Sequence, residues 1–275
     1  MTINRHIKSF FFYLLFTGLF FKLSMIQAQV HHNGDIHISE NTAFYVERTS
    51  FGFGSGITTT SRTKLNDGVL SMSNDAFWIG ASDTSFVDGY IQTHSTKAFI
   101  LPIGQSGIYA PIQVTPSTSA GVSAAYFRLA PKSIGSAFDE SISSISSVEY
   151  WDINSIGASA DISLSWGYSS DISGLTSSSL AYLTIIGWDG SAWVIIPSIV
   201  DEYSILGEIS NLDYGSISSN KKIDLSLYSA FSLGSTTKQL SVPESDKVEL
   251  MVYLNYNRAF IKASVPITGL IIYEI

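Results

Sequence analysis

The chain has no cysteine in its 275 residues. That excludes disulfides, thiolate metal sites, a cysteine nucleophile and the lipid-bearing N-terminal cysteine of bacterial lipoproteins at once. Charge is scarce too: Asp, Glu, Lys and Arg make up 14% of residues, with 15 basic against 23 acidic. A chain this short of cations is a poor ligand for nucleic acid or anionic lipid. Helical periodicity is lacking: past the first thirty residues no stretch of about 12 residues combines a 3.6 period with helix formers. Long apolar runs are missing as well. Phe10 to Phe21 is the longest, about 12 residues and well short of a bilayer span.

That run has a specific setting. Arg5 and Lys8 precede it, Lys22 closes it, and Ile26-Gln27-Ala28 places a small residue before a cut. Residues 1–28 therefore read as a cleaved secretory signal. Its removal takes three basic residues and no acid, which leaves 12 basic against 23 acidic, a charge of about −11. An exported, cysteine-free chain suits the bacterial envelope or secretion to the cell surface.

Serine and threonine supply the polarity that charges do not, as in "SISSISSV" and "SGLTSSSL". Hydroxyls suit pleated strands and turns but compete with helical hydrogen bonds. The expected fold is all-β: an antiparallel sandwich body with a short solenoid-like region near its start, followed by an incomplete C-terminal sandwich module. The divisions are 29–116 for the N-terminal β region, 117–234 for the sandwich, 235–247 for a linker and 248–275 for the terminal module.

Several segments carry this reading. Ile162, Leu164 and Trp166 alternate with Ser163 and Ser165, and Ile223, Leu225 and Leu227 with Asp224 and Ser226, predicting one buried and one wet face. Asp88-Gly89 between "SFV" and "YIQ" predicts a type I′ hairpin. Gly104-Gln105-Ser106-Gly107 predicts a turn between two apolar strands. Strands recur about every 8–12 residues, the spacing of a sandwich or of solenoid turns, without a fixed repeat.

Chemistry-bearing residues are few. Beyond the leader the histidines are His31, His32, His37 and His94. A Ser-His-Asp enzyme would have to use His94 or the N-terminal tract, and "GFGSG" and "GQSG" are glycine turns rather than a G-x-S-x-G elbow. "HHNGDIH" could hold a divalent metal through His31, His32, Asp35 and His37, but strand alternation explains it as a wet face. Asp152 to Asp161 fails as a calcium loop, because Ile156 sits at a ligand position and Ser163 stands where a Glu is needed. The neighbouring acids Asp139-Glu140 and Asp201-Glu202 would point to opposite faces of a strand. No catalytic, cofactor or metal residue is assigned. Trp188 and Trp193 bracket the Asp189-Gly190 turn, where a sugar-stacking platform would sit, although cross-strand packing serves as well.

The end of the chain, "VYLNYNRAFIKASVPITGLIIYEI", restarts strand-like alternation after the polar stretch "STTKQLSVPESDK". It resembles the opening half of the C-terminal sorting domain of Bacteroidetes proteins that use the type IX secretion system, nearer the type C pattern than type A. Val252, Tyr253, Phe260, Ile261 and Ser264 match its first strand pair, and Ile267, Leu270, Ile272, Tyr273 and Glu274 the next strand. The match covers about 28 of the 275 residues and stops before the family's Gly-basic turn and later strands. The resemblance implies a small β-sandwich read by the outer-membrane translocon, with the type IX machinery as partner. Segments of the body, "FVDGYIQTHSTKAFILPIGQSGIYAPIQV" among them, resemble flavobacterial surface proteins. The expected function is an exported, non-enzymatic surface or secreted β protein, adhesive or structural, with a polysaccharide or protein ligand and no nucleic acid. A carbohydrate-binding module is the alternative, and a secreted hydrolase the second.

Overall fold

The structure is a computed structural model that describes residues 29–63, 68–155, 157–236, 250–255 and 258–263. Among these residues it is all-β, with one four-residue α-helix, α1 (Ile172–Leu175).

From Val30 to Thr93 the chain winds instead of folding back. β1 (Val30–Asn33), β2 (Ile36–His37) and β3 (Ala43–Val46) make one turn. β4 (Ser50–Ser55), β5 (Thr58–Thr59) and β6 (Val69–Met72) make the second, and β7 (Phe77–Ile79), β8 (Val87–Asp88) and β9 (Ile91–Thr93) the third. Each strand pairs in parallel with its counterpart one turn on: Val30, Phe51 and Trp78 align, as do Ile36, Thr58 and Val87, and Phe44, Leu70 and Ile91. This is a three-turn β-solenoid. Phe51, Phe53, Leu70 and Met72 of the middle turn are buried in its interior, whereas Phe44 of the first turn lies on the edge strand of the described sheet and is exposed. The offset is 21 residues between Val30 and Phe51 and 27 between Phe51 and Trp78. The corners absorb the difference, so a repeat of geometry leaves no fixed repeat of sequence.

Asp88-Gly89 is one of these corners and not a hairpin. β8 and β9 belong to different sheets, and only Gly89 has a positive φ, 127°, where a type I′ turn needs two. Thr60 Oγ1 pins the corner by donating to the Tyr90 carbonyl at 2.9 Å. The type I′ geometry lies at Ser106-Gly107 instead, with φ of 54° and 77°. They join β11 (Gly104–Gln105) to β12 (Ile108–Tyr109), after β10 (Phe99–Leu101).

The sandwich comprises β13 (Ile112–Pro116), β14 (Val122–Phe127), β15 (Ile142–Ile145), β16 (Tyr150–Ser155), β17 (Ser159–Trp166), β18 (Leu183–Trp188), β19 (Trp193–Ile196), β20 (Ser198–Val200), β21 (Gly215–Ser219), β22 (Ile223–Asp224) and β23 (Ala230–Thr236). One sheet runs β19-β18-β23-β16-β14-β9-β6-β3, with β15 on β23; the other runs β10-β13-β17-β21-β20, with β22 on β17. The first sheet changes character at β9: Gln92 aligns in parallel with Ser71 and antiparallel with Ser123. One hydrophobic core runs from the solenoid through the space between the sheets, where Tyr126, Trp151 and Leu233 join Ile112, Ile162 and Ile217. The boundary expected after Pro116 thus falls within a sheet, for β13 pairs with β17.

The alternation in β17 holds on its apolar side: Ile162 and Leu164 are buried against Val114 and Ile112 in register. Its other side is not wet, because Ser163 and Ser165 are also buried. Ser163 Oγ pairs with Ser218 Oγ at 2.7 Å, and Ser165 Oγ donates to the Pro111 carbonyl at 2.6 Å. The alternation from Ile223 fails after Asp224. Asp224 Oδ1 accepts from Ser226 N at 3.0 Å and Ser226 Oγ at 2.6 Å, which curls Leu225–Leu227 into a 3-10 turn and leaves Leu227 exposed.

β23 extends through Thr236, two residues into the expected linker. β24 (Leu250–Asn255) and β25 (Arg258–Ala263) form an antiparallel pair with Val252 opposite Ile261 and Tyr253 opposite Phe260. Ser264, Ile267, Leu270, Ile272 and Tyr273 lie outside the described residues.

Candidate binding cleft

Trp188 and Trp193 are cross-strand neighbours at the end of β18 and β19, with ring centroids 5.7 Å apart. They form no platform. Trp193 is 0% exposed and packs with Ile142, Tyr150, Ile186 and Ala230. The segment from Gly135 to Asp139 crosses the pair: Trp193 Nε1 donates to the Gly135 carbonyl at 2.9 Å, and Trp193 N donates to Ala137 O at 2.9 Å. The Trp188 ring lies over Gly135, where any Cβ would collide with it. Trp193 is therefore closed to a sugar, which corrects the stacking assignment for that residue, while Trp188 stays half-buried with Gly135 against its ring. At the tip, Asp189 Oδ1 accepts from Ala192 N at 2.9 Å and Ser191 N at 2.8 Å, holding its carboxyl below the usual range.

The histidines are not brought together either. His32 turns inward between Phe51 and Phe53, with centroids at 5.4 and 5.5 Å, while His31 and His37 are exposed and Asp35 accepts from Ile57 N at 2.8 Å. Successive strand residues face opposite ways, so His31 and His32 cannot share a ligand. His94 is half-buried just after β9, not on a hairpin, with Nε2 3.3 Å from Ser71 Oγ and Nδ1 3.2 Å from Ser119 O.

A cleft of about 740 Å³ opens at the end of the second sheet. Five segments build it: the turn at Ser82 and Asp83, the β11–β12 hairpin, the end of β17 with the loop after it, the loop before β21, and the first residues of β21. Each wall is fixed locally. Ser82 and Ser85 exchange backbone hydrogen bonds of 2.9 and 3.0 Å. Trp166 Nε1 donates to Asn211 O at 2.9 Å, and Asn211 Oδ1 accepts from Tyr214 N at 3.1 Å. The Trp166 ring lies against Gly215, a close approach that only glycine permits.

Tyr109, Trp166, Tyr168 and Tyr214 are the aromatic residues of the lining. Tyr168 is 78% exposed and Tyr214 51% exposed, although both line a concavity. Tyr109 stacks on Phe86 at 6.4 Å, and its hydroxyl oxygen is buried with no hydrogen-bond partner among the described residues. Burial first, and Asp83 second, push that phenol well above its ordinary value, so it stays protonated and free to donate. Among the described residues, Asp83 and Glu208 are the charged members of the lining, and no Lys, Arg or His joins them.

A buried polar group stands behind the Tyr168 loop. Arg128 Nη2 donates to Ser169 O at 2.8 Å, and Nη1 lies 3.4 Å from Glu149 Oε2, which also accepts from Tyr126 OH at 2.7 Å. Burial pushes the Glu149 carboxyl up against the opposing pull of Ser170, Tyr126 and Arg128. Sequence reasoning missed the cleft and this support. The available signal was local: exposed tyrosines amid turn residues, in "WGYSS" and "LDYGS".

No helix among the described residues is long and apolar enough to cross a membrane. Compared with known protein families, curated proteins and solved structures, the chain matches none.

Proposed function

We propose that this is an exported, non-enzymatic β protein of the cell surface or secreted medium that adheres to its target through the Tyr168–Tyr214 cleft. The observation that carries the reading is the exposure of those two tyrosines within a concavity. Large aromatic surface left accessible beside convergent polar groups is the composition of binding sites. The solenoid and sandwich share one core, so they present the cleft on a continuous β framework, which suits adhesion. A carbohydrate-binding module is the narrower form of the same reading. Export rests on the leader, and type IX delivery on the resemblance of residues 248–275 to a sorting domain.

Adhesion is tested with the purified protein on beads offered extracellular matrix from bacterial biofilm. The expected result is retention that falls when Tyr168 and Tyr214 are both replaced by Ala, with no turnover of ester, glycoside or peptide substrates. Equal retention of the double variant, or turnover, would overturn the reading. Delivery is tested by appending residues 235–275 to a secreted reporter in a Bacteroidetes host. Surface arrival that requires the type IX translocon supports it, and arrival independent of the translocon contradicts it.

A further inference from the structure

We infer that the cleft takes a neutral polysaccharide, a run of hydroxyl-rich sugar without net charge. The inference rests on the adhesive reading above and names its ligand. Three features of the lining converge on it.

The first is charge. Asp83 and Glu208 line the cleft, and among the described residues of the lining there is no cation beside them. A phosphate, sulfate or uronate would meet like charge from these two carboxylates, which disfavours anionic glycans. A chain whose leaderless form carries about −11 repels such ligands at longer range too. Neutral sugar hydroxyls have no such conflict: they donate, and a carboxylate is the strongest acceptor they meet.

The second is hydroxyl chemistry. Serines at 82, 165, 169 and 204 line the cleft, and each can donate or accept. Ser165 is committed to Pro111 O, but Tyr109 holds a buried O–H without a partner among the described residues. That oxygen is closed to solvent, so the polar partners left for a ligand are the serines and the two carboxylates. The third is the pair of exposed rings, since the C–H face of a pyranose packs on a tyrosine face while its hydroxyls turn to the rim. The volume, about 740 Å³, lies within the range of about 300–1,000 Å³ usual for small-ligand sites.

A cationic peptide is the rival, attracted by the same carboxylates and rings. Salt separates the two, because a neutral ligand gains nothing from unscreened charge. The experiment is affinity electrophoresis of the purified protein in gels holding a linear glucan, mannan or galactan, or a sulfated or uronate polysaccharide. Solution binding is then measured from about 50 to about 500 mM NaCl. The expected result is retardation in at least one neutral gel, unchanged affinity across that salt range, and about tenfold weaker binding for Tyr168→Ala and for Tyr214→Ala. Thermal midpoints equal to the parent's certify that the variants fold. Retardation confined to anionic gels, or affinity that falls with salt, would overturn the inference. So would matrix adhesion without retardation in any neutral gel, which would leave the adhesive reading standing; absence of both would overturn the two together.

Discussion

Arg62 donates through Nε to Asp88 Oδ1 at 2.7 Å, joining successive turns of the solenoid at one corner. The same guanidinium donates through Nη1 to the Tyr126 carbonyl at 2.8 Å and lies 5.1 Å from the centre of the Phe127 ring. One side chain thereby ties two solenoid turns to β14 of the sandwich. Both members of the ion pair are about one-quarter exposed, at 24% and 26%, so solvent screens the pair only in part.

Replacing Arg62 with Ala removes the pair, the carbonyl bond and the ring contact together, and leaves Asp88 half-buried without its cation. Stability is expected to fall by about 2–3 kcal/mol in urea denaturation. Arg62→Lys should recover less than half of that, because an ammonium cannot reach Asp88 and Tyr126 with separate donors. A loss below about 0.5 kcal/mol, the scale of an ordinary surface change, would show that the junction does not depend on this residue.

The Trp193 indole is sealed among Ile142, Tyr150, Ile186 and Ala230 with its N–H on Gly135 O. Trp193→Phe keeps most of the ring and loses the hydrogen bond, so a cost of about 1–2 kcal/mol in thermal or chemical unfolding is expected. Ligand retention by the folded variant should match that of the parent. A selective loss of retention at unchanged stability would restore the Trp188–Trp193 hairpin as the binding surface.

Glu149 gives stability a pH dependence of predictable sign. Its carboxyl in the folded state titrates above the ordinary value of 4.5 because burial disfavours the charge. The folded state therefore binds the proton more tightly than the unfolded chain does. Its contribution is fully present below that ordinary value and is lost as pH rises through the raised one. Asp139, Asp189 and Asp224 are shifted below 3.8 by hydrogen bonds from their own loops, so their opposite contributions change only at more acidic pH. Urea denaturation of the parent and of Glu149→Gln should thus show the parent gaining on the variant as pH falls from about 8 to about 5. A difference that stays constant between those pH values would contradict the assignment.

The antiparallel half was legible because its signal is local. Ile162 and Leu164 alternate with serines, and a period of two suffices to place them on the inner face. The solenoid showed only as short strands at close spacing near the start, because its parallel stacking pairs residues more than twenty positions apart and leaves no mark of register between neighbours. Asp88-Gly89 misled because a glycine at positive φ serves a solenoid corner as well as a hairpin. Leu227 misled because the Asp224 carboxylate captured the Ser226 amide, a competition that hydrophobic alternation does not register. The cleft stayed hidden because five separate segments build it, and only Tyr168 and Tyr214, out of place in turns, hinted at it.

The central claim is that the Tyr168–Tyr214 cleft is where this protein binds. Amide hydrogen exchange with and without a neutral polysaccharide that the protein retains tests it most directly. Slowed exchange is expected at 107–109, 166–169 and 204–215, the walls of the cleft, with residues 188–193 unchanged. Protection at 188–193, or on the solenoid, with the cleft unaffected would contradict it.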